Sequence, residues 1–193
     1  MVGTVEPRKG YLQAIDAFSL LWNEGVDINL VIVGKEGWQS LAKDMRRDIP
    51  ETVNRLRTHR ERKKRLFWLE GISDEYLEKV YAASTCLIAA AYGEGFGLPL
   101  VEAAQHNLPI IARDIPVFRE VVGEHAYFFE AESPESLASD IQVWLTLFGA
   151  DRHPKSTNLP PLTWRESALQ LCNVILPPCP DQPPQPMGPC QRR

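Results

Sequence analysis

Short apolar runs, each bounded by glycine, proline or charged residues, alternate along the chain with segments in which apolar residues recur at helical spacing. Residues 28–33, 66–69, 86–91, 108–112 and 126–129 read as strands, and 2–5 as the end of another. Ala14, Ile15, Phe18, Leu21 and Trp22 share one helix face, as do Leu137, Ile141, Trp144, Leu145 and Phe148. Further helices are predicted over 75–83 and 117–122, the first capped by Ser73 or Asp74. Ser133-Pro134 opens another, and Thr163-Trp164-Arg165-Glu166 reads as a capping box before a last helix reaching Ile175. Strand and helix in turn predict an α/β domain with a doubly wound, Rossmann-like, mainly parallel sheet. It spans residues 1–176 and is entered partway through its first strand. Residues 177–193 are rich in proline and nearly free of large apolar side chains, which predicts a disordered tail.

The chemistry concentrates after the 86–91 strand, in Glu94-Gly95-Phe96-Gly97-Leu98-Pro99-Leu100-Val101-Glu102, two carboxylates separated by seven residues. Gly93, Gly95 and Gly97 permit tight turns and close backbone approach, and Pro99 suits the first turn of a helix. Strand, glycine-rich turn and helix together present free N–H groups and partial positive charge to a phosphate. Acids beside a phosphate need another partner, and the vicinal hydroxyls of a sugar or ribose donate what a carboxylate accepts. The alternative is a small-residue turn with Glu102 as ordinary helix surface.

At the other strand ends, Arg8 and Lys9 lie in the turn Glu6-Pro7-Arg8-Lys9-Gly10, and Gly34-Lys35 closes the 28–33 strand; both are ligand-side positions of a parallel sheet. Two cations there suit a pyrophosphate, Arg as a bidentate fork and Lys as a point charge; a solvated basic turn is the alternative. Arg113, at another strand end, is expected to meet an acidic neighbour rather than a ligand. The segment from Arg55 to Arg65 carries seven cations, a solvated face or a contact for anionic lipid headgroups.

Composition narrows the class. The chain has 193 residues, 44% hydrophobic content and a formal charge of -4, which argues against electrostatic nucleic-acid binding. No apolar stretch approaches the ~20 residues of a membrane span. The four cysteines match no zinc spacing and no secretory framework, so a reducing cytoplasm is expected.

The Glu-Gly-Phe-Gly-Leu-Pro run with its second Glu resembles the Glu-x7-Glu motif of retaining GT-B glycosyltransferases, family 4, and most of all mannosyltransferase-like members that build polysaccharides. The likeness runs from about Val2 to about Ile175 and includes Glu-Pro-Arg-Lys-Gly and Trp-x-x-Ser-Ala. Many relatives carry an additional Arg where this chain has Thr4, placing more weight on Arg8 and Lys9. The resemblance implies the C-terminal, donor-binding half of a GT-B fold, whose partner is an N-terminal acceptor domain. It implies transfer of a hexose from a nucleoside-diphosphate sugar, with GDP-mannose as the donor guess, to a glycan or lipid-linked acceptor. Glu94 would orient the donor sugar, Arg8 and Lys9 would meet the diphosphate, and Glu102 would hold the ribose. Gly95, Phe96, Gly97 and Leu98 would line the phosphates, with Gly34, Gly71, Ile72 and Ser73 towards the nucleotide. No Asp-x-Asp motif occurs, so chemistry without metal or other cofactor is expected. A nucleotide-binding or regulatory module without transferase activity is the alternative from another class. A Rossmann dehydrogenase is disfavoured, because no Gly-x-Gly-x-x-Gly follows the first strand.

Overall fold

A computed structural model describes residues 1–159 and 164–176. The chain divides into two units, Met1–Leu159 and Pro160–Arg193. In the first, the strands are β1 (Leu30–Val33), β2 (Leu66–Leu69), β3 (Leu87–Ala89), β4 (Ile110–Arg113) and β5 (Tyr127–Phe129). All their pairings are parallel, Leu30 opposite Leu66 in one sheet, Leu87 opposite Ile110 and Ile111 opposite Tyr127 in the other. The helices are α1 (Tyr11–Asn23), α2 (Ile49–Thr58), α3 (Asp74–Ala83), α4 (Leu98–Gln105), α5 (Pro116–Val122) and α6 (Pro134–Gly149).

Successive strand residues face opposite ways, and the core follows. Ile88 and Ile111 join a cluster built with α1, α2 and α6, including Phe18, Leu21, Leu56 and Trp144. Their neighbours Leu87, Ile110 and Ala112 join a second cluster with Tyr81 of α3, Leu100 of α4 and Phe118 of α5. Helices therefore cover both faces, which is why the strands read as continuous apolar runs. The expected doubly wound α/β architecture is present.

Element ends differ from the sequence pattern for local reasons. The 2–5 segment forms only isolated parallel bridges, Val2 to Val33 and Val5 to Glu36. Gly3 and Gly34 cross so closely there that a Cβ on Gly34 would lie 1.9 Å from the Gly3 oxygen. β1 starts at Leu30 rather than 28, because the Trp22 indole N–H takes the Ile28 carbonyl at 2.8 Å. β3 stops at Ala89, since the next carbonyl, of Ala90, accepts from the Arg113 Nε at 3.1 Å. Between the two sheets, Met1, Val31, Cys86 and Ile88 line a cavity of about 490 Å³ that opens to solvent, with Trp144 also in its wall.

Capping matches the sequence. Ser73 accepts from the Tyr76 N–H at 3.3 Å, and Ser133 and Ser136 form a reciprocal capping box on α6. In the second unit, α7 (Trp164–Ile175) is helical. Thr163, the start of the expected box there, and the 177–193 tail lie outside the described residues.

Candidate functional site

Parallel strands bring their C-terminal ends to one edge, and the turns that follow them form the site. Gly97 caps α4 at φ 90°, with Pro99 in the first turn. A Cβ on Gly97 would come within 2.9 Å of the Phe118 ring, so backbone and packing both demand glycine. Gly93 and Gly95 are different: neither has positive φ, and a Cβ on either meets nothing within 4 Å. The expected tight turn belongs to Gly97 alone, and Gly95 borders open space. Phe96 and Leu98 project from the same loop as exposed apolar residues.

The second turn is a 3-10 helix over Pro7–Lys9, ended by Gly10 at φ 70°. A Cβ at Gly10 would lie 2.3 Å from the Ala90 carbonyl oxygen, so glycine lets this turn press against the end of β3. The Tyr92 N–H donates to the Arg8 carbonyl at 2.8 Å. The contact carries both cations to the glycine-rich loop. Arg8 Nη1 donates to Glu94 Oε2 at 2.5 Å and to the Gly93 carbonyl at 3.1 Å, while its Nε meets Glu6 at 3.1 Å. Lys9 Nζ donates to the other Glu94 oxygen. The Glu94 side chain is only 10% exposed and that of Lys9 13%, whereas Arg8 is 47% exposed. Burial alone would push the Glu94 carboxyl up; hydrogen bonds and charge from Lys9 and Arg8 outweigh it and hold the carboxyl below its ordinary range.

Lys9, Tyr11, Glu94, Gly97 and Pro99 line a small cavity of about 20 Å³ that opens to solvent. Glu102 is not part of its lining. One turn into α4, its Oε2 accepts the Tyr81 phenol at 2.7 Å, and the Tyr81 ring stacks on His106 with centroids 5.3 Å apart. Gly34 and Gly71 end β1 and β2 on the same sheet edge. The Trp68 indole donates to the Gly34 carbonyl at 2.8 Å, and Gly71 at φ 64° lies 3.9 Å, from an idealised Cβ, to the Lys35 Cε. Ile72 leads into Ser73, whose hydroxyl caps α3.

Arg113 corrects an expectation. It is 7% exposed and, among the described residues, meets no acid. Its guanidinium donates to the carbonyls of Ala90 and Ala131, the latter at 2.6 Å, and to the Gln13 side chain. It also stacks on the Tyr92 ring, 4.1 Å from the centroid. The reason is topological: the ends of β3, β4 and β5 converge there with bare carbonyls facing inward. Burial pulls its pKa down. Tyr81 and the Gln13–Tyr92–Arg113 group escaped the sequence reading, because each meets its partner across a long chain separation; Tyr11, whose partner Gly3 lies eight residues away, escaped it too.

In the basic segment, Arg55 pairs with Asp16, Arg57 with Glu36, and Arg60 and Arg65 with Glu61. Arg62, Lys63 and Lys64 are exposed. Among the described residues, no group of His, Cys, Asp and Glu is placed to hold a metal ion, and no helix is long and apolar enough to cross a membrane.

Residues 1–155 match the family described as glycosyl transferases group 1. The serotype-specific mannosyltransferase WbdA of Escherichia coli is 51% identical over 168 residues, covering 87% of this chain and 20% of that protein. The chain thus spans about a fifth of the length of the WbdA proteins it matches. Sucrose-phosphate synthase from Thermosynechococcus elongatus superposes with a TM-score of 0.68 at 23% identity, covering 90% of this chain and 44% of that one. Anabaena Alr3699/HepE, solved in complex with UDP and glucose, gives 0.66 at 18% identity, covering 90% and 47%. At those identities the structural likeness concerns the fold.

Proposed function

Because the chain belongs to the glycosyl transferases of group 1, we propose that it is the donor-binding part of a retaining glycosyltransferase. It takes a nucleoside-diphosphate sugar, with GDP-mannose the favoured donor, and delivers the hexose to a glycan or lipid-linked acceptor during polysaccharide assembly. The mannosyltransferase names of its relatives support the sugar. A companion acceptor domain completes the enzyme in this reading.

The observation that carries the proposal is the convergence of Arg8, Lys9 and Glu94 beside the Gly97 cap of α4. The diphosphate lies against the two cations and the first N–H groups of α4, which stabilise charge as the sugar–phosphate bond breaks. Glu94, released from those cations, accepts hydrogen bonds from the sugar hydroxyls. Glu102 accepts from the ribose diol through the oxygen that Tyr81 leaves free. Gly95, bordered by open space, admits the phosphates, and Gly34, Gly71, Ile72 and Ser73 form the nucleoside side. No metal enters this scheme, since protein cations answer the leaving-group charge. Any peripheral contact with an anionic membrane rests on Arg62, Lys63 and Lys64, the neighbouring arginines being engaged by carboxylates.

Calorimetric titration with GDP-mannose, GDP, UDP and ADP tests the proposal. Saturable binding of GDP-mannose, or of GDP in preference to UDP and ADP, supports it; failure of all four to bind removes it.

A further inference from the structure

The contact that identifies the site also poses a competition within it. Both cations assigned to the diphosphate are occupied by Glu94: Arg8 holds one carboxylate oxygen at 2.5 Å and Lys9 holds the other. The carboxylate is nearly buried, and the cavity beside it opens to solvent. An incoming diphosphate therefore competes with a carboxylate already seated on its own ligands.

We infer that Glu94 is a specificity-determining residue that sets the site against the bare nucleoside diphosphate and in favour of the sugar-bearing donor. The inference rests on the proposed function and deepens it. Displacing Glu94 from Arg8 and Lys9 strands a desolvated carboxylate beside a second anion, which is unfavourable on both counts. A nucleotide sugar offsets that loss, because its hydroxyls donate to the displaced carboxylate. A nucleoside diphosphate alone brings the anion without the donors. Glu94 then reclaims the cations as the diphosphate leaves, which favours product release. Other charges around the carboxylate are few: Glu6 shares Arg8 at 3.1 Å, and the Tyr11 phenol is committed to the Gly3 carbonyl at 2.6 Å.

The test measures GDP and GDP-mannose affinities of the wild-type chain, Glu94→Gln and Lys9→Gln, with UDP and UDP-glucose run alongside. Wild type is expected to prefer GDP-mannose. Glu94→Gln removes the competing anion, so GDP should bind about tenfold tighter, the equivalent of ~1.4 kcal/mol, while the preference for GDP-mannose disappears. Lys9→Gln should weaken both ligands. Opposite signs in the two variants cannot arise from general loosening of the fold. GDP binding by Glu94→Gln no tighter than wild type, with Lys9→Gln still weakened, overturns the inference and leaves the donor site standing. Absence of binding of GDP, UDP and both nucleotide sugars to wild type overturns both.

Discussion

The Tyr81 phenol donates to the Glu102 carboxylate across 2.7 Å, bridging α3 and α4. The carboxylate is thereby held at one oxygen, with its second available. Burial first, then the bond to Glu102, pushes the Tyr81 phenol well above its ordinary range, so it stays a donor at every physiological pH.

Tyr81→Phe keeps the ring and its stack on His106 but frees Glu102. It should cost about 1.5–3 kcal/mol of stability, the scale of a charge-assisted bond, read from denaturant melts. If Glu102 holds the ribose, the variant should also lose discrimination between GDP and its 2′-deoxy analogue. Unchanged discrimination would remove Tyr81 from ligand positioning.

Arg113→Met removes the buried guanidinium and strands the Ala90 carbonyl, while Gln13 still donates to the Ala131 carbonyl at 3.0 Å and accepts from the Tyr92 phenol at 3.1 Å. At about 1–3 kcal/mol for a stranded buried group, stability should fall by that amount. A change below about 0.5 kcal/mol in chemical denaturation would mean that water replaces the network without loss.

The glycines sort by what surrounds them. Gly10→Ala drives a Cβ into the Ala90 carbonyl and Gly97→Ala into Phe118, each at positive φ, so both variants should melt well below wild type, Gly10→Ala lowest. Gly95→Ala meets nothing and should keep the wild-type melting temperature. Its nucleotide affinity should nevertheless fall if the phosphates pass that point.

The pairing of Glu94 with Arg8 and Lys9 makes stability depend on pH. The folded carboxyl titrates below its ordinary value of 4.5, so the unfolded chain binds the proton first as acid is added. The contribution is full above pH 4.5 and is lost as pH falls through the lower folded value. The stability gap between wild type and Glu94→Gln should shrink over that interval. A gap constant from pH 7 to pH 3 would show that the pair contributes nothing.

Much of this was legible in the sequence, and the reason is local. Runs such as Leu66-Phe67-Trp68-Leu69 and caps such as Ser133 depend on neighbours a few residues away, so periodicity and cap chemistry locate them. The loop from Glu94 to Glu102 was equally readable, since the Gly97 turn and Pro99 act within it. Strand ends were less so: Trp22 sets the start of β1 and Arg113 the end of β3, and no local pattern announces either. Arg113 was misread for the same reason, because its acceptors come from α1, the end of β3 and the segment after β5. The seating of Glu94 on Lys9 joins positions 85 residues apart; each half was visible as a motif, but their mutual occupancy needed the fold.

The central claim is that the Arg8–Lys9 turn and the Glu94 loop together receive a diphosphate. A crystal structure of the chain with GDP measures that directly. The account predicts diphosphate oxygens within about 3 Å of both Arg8 and Lys9, with Glu94 displaced from at least one of them. A diphosphate bound elsewhere, with Glu94 still seated on both cations, would contradict it.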